Sequence, residues 1–244
     1  MIEGGLSPPR LPPRTERRGI TRNLMKHHYF VTGTDTNVGK TWATLALITY
    51  FKQQNLSVIG MKPVASGCRK IANEWQNDDA LAIQKMSSQF VDYSLINPYA
   101  YELPISPHLA GIENPVNIKK ICANFDTLQN MADVIIVEGA GGWYAPLNNS
   151  ESISDLAKKL NLPIILVISI KLGCINHALL TFEAIKNSNL NCVGWIAVCN
   201  DVTFDCIDLT LSSLNNFLPI PLLAKFPFLQ KEDFDYLASQ IKLP

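Results

Sequence analysis

Lys40, Thr41, Lys62 and Glu138 are the residues of this chain whose types and settings suit chemistry on nucleotide phosphates. Gly33-Thr34-Asp35-Thr36-Asn37-Val38-Gly39-Lys40-Thr41 follows a short apolar run and closes on the Gly-Lys-Thr of a phosphate-binding loop. The usual pattern has a glycine where this chain has Thr34, and Gly33 lies one residue early, so the loop is a variant. Backbone N–H groups of such a loop and the positive end of the helix after it attract phosphate oxygens. Lys40 would reach the β- and γ-phosphates, and the Thr41 hydroxyl would bind Mg²⁺. The competing reading is a chance Gly-Lys-Thr in an ordinary strand–turn–helix link. The strand before the motif and the helix after it weigh against that.

Asp133-Val-Ile-Ile-Val-Glu138 is an apolar run ending in an acid, followed by Gly139-Ala140-Gly141-Gly142. An acid at the carboxyl end of a strand beside a phosphate loop is where an Mg²⁺ partner belongs. Glu138 takes that role here in preference to a solvated helix cap, and the glycines let backbone approach a ligand closely. Lys62-Pro63-Val64-Ala65-Ser66-Gly67 follows another strand. A second lysine near the γ-phosphate suits phosphoryl transfer to an anionic acceptor, because it offsets developing charge. On spacing alone, a surface lysine before a proline turn is an equally good reading. Asn77-Asp78-Asp79-Ala80 opens a helix, where acids favour the dipole, and on the residues alone capping is the better reading. The 4 histidines show no metal spacing. His177 reads as structural, since a lone histidine lacks the partner that proton transfer needs.

The elements that must position these groups are legible in the apolar pattern. Strands are expected over 29–32, 57–61, 134–137, 164–168 and 193–198, with helices over 40–54, 78–87, 116–130, 176–187 and 207–217. Continuous Val/Ile/Leu strands alternating with helices imply an α/β fold: a single P-loop NTPase-like domain, a mostly parallel central sheet with helices on both faces. Such sheets bind ligands beyond the carboxyl ends of their strands. The chemistry should therefore lie just after Thr32, Met61, Val137, Ile168 and Val198.

Composition narrows the class. The chain has 244 residues, 47% of them hydrophobic, and a formal net charge of zero, which argues against a general nucleic-acid binder. No apolar run approaches the roughly 18 residues of a membrane span, and no secretory signal pattern precedes Tyr29. The 6 cysteines form no C-x-x-C pair and read as reduced thiols of a cytoplasmic protein. Residues 1–24 hold Pro8, Pro9, Pro12 and Pro13 among Arg10, Arg14, Arg17, Arg18 and Arg22. They are expected to form a disordered extension, with Met25 as a natural start and 25–244 as the catalytic domain.

Taken together, Tyr29-Phe-Val-Thr-Gly-Thr-Asp-Thr-Asn-Val-Gly-Lys-Thr41, Lys62-Pro-Val-Ala-Ser-Gly67, Val137-Glu-Gly-Ala-Gly-Gly-Trp143, Lys171-Leu-Gly-Cys-Ile-Asn-His177 and Asn200-Asp201 closely resemble the dethiobiotin synthetases. The segments occur in that family's order and span nearly all of the chain after Met25. The resemblance implies an ATP- and Mg²⁺-dependent ligase that joins CO₂ to 7,8-diaminopelargonate and closes a cyclic urea. It implies a carbamate and then a carbamic-phosphoric anhydride on the way, and a homodimer with the substrate site at the interface. By resemblance, Asn37, Val38, Gly39, Lys40, Thr41 and Trp42 hold the phosphates, with Gly139, Ala140 and Gly141 alongside. Thr41, Asp79 and Glu138 surround Mg²⁺, the family pattern favouring Asp79 over Asp78. Lys40 and Lys62 stabilise the transferring phosphoryl group, while Thr36 and Ser66 contact the substrate or its carbamate. Gly173, Cys174, Ile175 and Asn176 form the loop that receives the substrate's distant carboxylate across the dimer. Asn200, with Asp201 beside it, reads adenine, and Pro227, Phe228 and Leu229 flank the base. The chain departs from the family at Asn37, often a glutamate, at Phe228, where a tryptophan is usual, and at Cys68, which the mechanism does not need.

Two other classes share parts of the pattern. An amidating synthase of cobalamin assembly would carry a glutaminase domain, for which no length remains. A partition-type switch ATPase would need a partner surface, and often a C-terminal membrane helix; the tail over 234–244 is short and weakly amphipathic.

Overall fold

Runs such as Val-Ile-Ile-Val-Glu and Ile-Ile-Leu-Val-Ile-Ser cannot present one face to water, because up to the last residue of each the side chains on both faces of the pleat are apolar. The structure, a computed structural model, describes residues 27–244, and the extension expected over 1–24 and the start at Met25 lie outside them. The chain enters through β1 (Tyr29–Gly33), α1 (Lys40–Gln53) and β2 (Val58–Met61). An insertion follows: β3 (Val64–Ser66), β4 (Arg69–Ile71), β5 (Glu74–Gln76), α2 (Asp78–Met86), α3 (Tyr93–Ile96), β6 (Tyr99–Tyr101) and α4 (Pro107–Ala110). It then returns to the sheet with α5 (Ile118–Leu128), β7 (Val134–Glu138), α6 (Ile153–Leu160), β8 (Ile164–Ser169), α7 (Cys174–Lys186) and β9 (Cys192–Val198). It ends with α8 (Ile207–Phe217), β10 (Leu222–Phe226) and α9 (Phe234–Ser239).

The main sheet has the order β10-β9-β8-β1-β7-β2, and every neighbouring pair is parallel. β1, β7 and β8 are buried along their whole length, each large apolar side chain contributing about 1.5–3 kcal/mol on burial. From β1 the chain steps one way to β2 and the other way to β8, β9 and β10. Right-handed crossovers in opposite directions put helices on opposite faces. Accordingly α1 packs with α2 and α9, while α5 packs with α6 and α7 with α8. The reversal falls at β1, so the crevice beyond its carboxyl end, between β7 and β8, is the ligand-binding position of this topology.

Several elements differ from expectation. The helix expected over 116–130 starts at Ile118, because the Asn117 side chain caps it by accepting from Lys119 N. The helix expected over 176–187 starts at Cys174, after Gly173 makes the turn at φ 86°. β10 lies outside the expected strands because Pro219 and Pro221 stand just before it, yet it extends the sheet beside β9. α6, which no expected helix covers, carries a capping box between Ser152 and Asp155. The tail is not free: α9 packs on α1, with Trp42 and Phe234 edge to face at 5.8 Å.

Gly60 shows how tightly α2 is seated. A Cβ there would lie 2.3 Å from Ile83 Cγ2 and 2.8 Å from Ile48 Cδ1. Gly60→Ala is therefore expected to lose about 1–3 kcal/mol of stability, read as a lower denaturation midpoint.

Candidate active site

Gly39 closes the phosphate loop at φ 95° and caps α1 without any side-chain hydrogen bond, which leaves the first N–H groups of the helix for a ligand. A Cβ at Gly39 would also lie 2.8 Å from Val198 Cγ1, so conformation and space both demand glycine. Asn37 holds a left-handed backbone, φ 59°. Asparagine adopts that region more readily than most residues, which suits it to this position. Val38 is buried in the core and does not line the cleft.

Lys40 is buried, and its Nζ donates to the Asp35 carbonyl at 2.6 Å across the loop. Burial lowers its pKa to about 8, with Lys62 adding to the effect and Glu138, Asp35 and Asp79 opposing it. Below that pH Lys40 keeps its charge; above it the nucleotide-free protein loses the proton that phosphates require. ATP affinity is thus expected to fall as pH rises from 7 to 9, read as an increase in Kd of up to about tenfold per unit above the pKa. An unchanged Kd would separate Lys40 from the phosphates.

Three segments converge opposite Lys40. The Thr41 hydroxyl donates to Glu138 Oε1 at 2.9 Å. Lys62 Nζ donates to the same oxygen at 2.8 Å and to Asp79 Oδ2 at 2.5 Å. Lys62 is only 8% exposed, which rules against the surface-lysine reading. Burial alone would lower its pKa, but the two carboxylates outweigh that and raise it. A second layer fixes this geometry. Asn97 Nδ2 donates to the Lys62 carbonyl at 2.6 Å, and Tyr93 Oη donates to Asn97 Oδ1 while accepting from Asn77 N. Asn77 in turn caps α2, the helix that carries Asp79.

Glu138 is fully buried, and its Oε2 has no partner. A buried carboxylate oxygen without a donor is costly, and with the Thr41 hydroxyl and Asp79 nearby it suits a hard cation. Mg²⁺ takes one or two carboxylates and completes its shell with water and phosphate oxygens, so the residues present fit it. Ser66 Oγ is likewise buried without a partner beside the cleft.

Lys40, Thr41, Lys62, Ser66, Asp79 and Glu138 line one cleft of about 900 Å³. It runs from Thr36 and Ser66 past the lysines and Gly139-Ala140-Gly141 to Asn200, Pro227, Phe228 and Leu229. Phe228 is 52% exposed, so its ring is available to a flat ligand. Asn200 Nδ2 donates to the Asn37 carbonyl at 3.2 Å, and Asn200 Oδ1 accepts from the Ser169 hydroxyl. Asp201 stands apart, its carboxylate engaged by the Thr203 N–H and hydroxyl in a local turn. Gly173, Cys174, Ile175 and Asn176 do not line the cleft of their own chain; at the start of α7 Gly173 and Asn176 are exposed and Cys174 is buried. Cys68 is buried and its thiol pKa is raised by burial, which keeps it unreactive. His177 is exposed in the first turn of α7.

Sequence reasoning did not find the far wall, formed by Pro104, Ile105, Ser106 and Pro107 with Ala145 and Pro146. Ser106-Pro107 is a usable signal for a helix start, but nothing local says that the helix faces the phosphate loop. Asp35 was missed because it acts through its carbonyl, which no residue type advertises.

A family model described as an AAA domain matches residues 27–233. An ATP-dependent dethiobiotin synthetase BioD of Cellvibrio japonicus (strain Ueda107) is 39% identical over 222 residues, covering 90% of this chain and 97% of that protein. The protein of the same name from Xanthomonas axonopodis pv. citri (strain 306) is 40% identical over 218 residues, with 88% and 97% coverage. Among solved structures, a MinC:MinD cell division protein complex of Aquifex aeolicus aligns with a TM-score of 0.53 at 14% identity, covering 88% of this chain and 86% of that one. A ParA family ATPase from Chlorobium tepidum TLS gives 0.51 at 15% identity, with 84% and 86% coverage. At those identities the two structures share the fold alone. Among the described residues, no helix is long and apolar enough to cross a membrane.

Proposed function

This chain belongs to the family of ATP-dependent dethiobiotin synthetases, and from that membership we propose which of its residues carry each part of the ligation. The enzyme is a ligase of biotin biosynthesis that uses ATP, with CO₂ and 7,8-diaminopelargonate as substrates. One amine and CO₂ form a carbamate. A carbamate oxygen attacks the γ-phosphorus and ADP leaves. The second amine then attacks the carbamoyl carbon of the mixed anhydride, expelling phosphate and closing the cyclic urea.

The single observation that carries the residue assignment is the meeting of Lys40, Thr41, Lys62, Asp79 and Glu138 in one cleft, with Glu138 Oε2 left unpartnered. The open N-terminus of α1, with Asn37, Gly39, Thr41 and Trp42 around it, receives the phosphates. Thr41, Asp79 and Glu138 would hold Mg²⁺, which would supply charge neutralisation to the transferring phosphoryl oxygens. Lys40 faces the γ-phosphoryl oxygens. Lys62, held by two acids, offers its ammonium to the anionic carbamate and the moving phosphoryl group. Thr36 and Ser66 orient the carbamate through their hydroxyls. Phosphoryl transfer is mostly positioning and charge neutralisation, which this set of residues supplies.

The working unit in this proposal is a homodimer. Leu172 is 89% exposed and Leu180 64% exposed, leaving apolar side chains on and beside α7. The loop Gly173, Cys174, Ile175 and Asn176 would receive the distant carboxylate of a substrate bound to the neighbouring subunit at the start of α7, with the Cys174 N–H itself held by the Lys171 carbonyl. Sedimentation is expected to give twice the 27.1 kDa chain mass, and Leu180→Asp is expected to yield monomers with a raised KM for diaminopelargonate. A fully active monomer would remove the shared site.

The deciding experiment is a phosphate-release assay with ATP, Mg²⁺ and bicarbonate, with and without diaminopelargonate, and the product identified by mass. Release that depends on diaminopelargonate and yields dethiobiotin supports the reading. Hydrolysis indifferent to diaminopelargonate, in protein that still binds ATP, would favour a switch ATPase instead.

A further inference from the structure

We propose that Ser169 is a positioning residue for base selection: its buried hydroxyl anchors the Asn200 carboxamide in the orientation that the Asn37 carbonyl sets, and so helps the cleft prefer adenine to guanine. The inference rests on the reading of Asn200 as the base contact and adds what holds it in place.

Ser169 is the last residue of β8 and only 3% exposed. In the parallel register it lies opposite Val198, which ends β9 two residues before Asn200. Asn200 has two protein neighbours, the Asn37 carbonyl and the Ser169 hydroxyl. A backbone carbonyl can only accept, so the amide atom facing Asn37 must be Nδ2. Oδ1 therefore faces Ser169, and the hydroxyl, which could act either way, is the donor. The flipped amide would set two acceptors against each other at Asn37. These two bonds use one N–H and one lone pair. One N–H and one lone pair of the carboxamide remain for a ligand.

That remaining donor–acceptor pair matches one purine edge. Adenine presents its N7 acceptor beside its N6 amino donor, and a carboxamide pairs with both; guanine presents N7 and O6, two acceptors. Against guanine the anchored Oδ1 would meet O6, and relief would need the amide to turn over, which sets Oδ1 against the Asn37 carbonyl and forces the Ser169 hydroxyl to give up its donor bond. Ser169 also joins the base site to the phosphate site, because the carbonyl on the other side of Asn200 belongs to the phosphate loop at Asn37.

The test compares kcat and KM for ATP and GTP in wild type, Ser169→Ala, Ser169→Thr and Asn200→Ala, with thermal midpoints for each. In Ser169→Ala, Asn200 keeps only its bond to Asn37. The ATP/GTP ratio of kcat/KM is expected to fall about tenfold, through KM for ATP, with kcat within about twofold. Ser169→Thr keeps a hydroxyl and should keep the ratio. If Ser169→Ala fails to fold, Ser169→Cys, similar in shape but a weak donor, gives the same reading. An unchanged ratio in Ser169→Ala, or equal losses for ATP and GTP, overturns the proposal while Asn200→Ala still lowers the ratio. An Asn200→Ala enzyme that keeps the wild-type ratio would instead overturn the base-contact reading beneath it.

Discussion

Lys40→Met abolishes turnover without unfolding the protein: kcat is expected to fall by about 10²–10³-fold or more, with a thermal midpoint no lower than wild type. The first half follows from position. Lys40 stands buried at the loop mouth, where its ammonium would meet charge that grows on the phosphoryl oxygens, in a setting that screens it poorly. The second half follows from the direction of its pKa. Burial pushes Lys40 down to about 8, so at neutral pH the fold bears a cost for keeping it charged. The sign is that of a lysine whose folded pKa is depressed. The cost is present below about pH 8 and vanishes only above the unfolded lysine's pKa. Removing such a group relieves the nucleotide-free protein and disables the reacting one. Steady-state kinetics and a melting curve on one sample check both parts. Near-normal kcat would sink the phosphate assignment.

Lys62→Met should behave in the opposite way for stability. The pKa of Lys62 is raised, because Glu138 and Asp79 together outweigh its burial. Its charge stabilises the fold at all pH values below the unfolded lysine's pKa, and that contribution is lost only as pH climbs through the still higher folded value. Without the ammonium, Glu138 keeps just the Thr41 hydroxyl, with its side chain fully buried. Breaking a buried pair by removing one partner costs about 3–5 kcal/mol, and the half-exposed Asp79 adds little. The thermal midpoint is expected to drop and kcat to fall by about 10²-fold or more. Adding Glu138→Gln removes the stranded charge, so the double variant should regain much of the stability and none of the activity. A double variant as unstable as Lys62→Met would mean that packing, not charge, accounts for the loss.

These two lysines also mark where sequence reading stopped. The phosphate loop was legible because it is local. Gly33 to Thr41 is one contiguous strand–loop–helix unit, and its backbone geometry follows from a glycine that must take φ 95°. The strand-end positions of Lys62 and Glu138 were legible too, since β2 and β7 are unbroken apolar runs that stop there. Whether Lys62 was a surface residue was not legible, nor whether Asp79 was more than a cap. Both answers depend on β2 lying beside β7 and on α2 folding back over β2.

Periodicity encodes which face a residue turns to a neighbour, and says nothing of which neighbour comes. The sequence alone determined the alternating α/β architecture, the phosphate loop and the chemical types brought to strand ends, because local backbone preference and burial on both faces specify them. Strand order decided the rest. It joined Lys62 to Glu138 across 76 residues and Asn37 to Asn200 across 163. It brought the Pro104–Pro107 wall over the cleft, and it kept the α7 loop away from the cleft of its own chain. Contacts between segments far apart in the chain form where parallel crossovers bring strand ends together, and no short window of sequence contains that information.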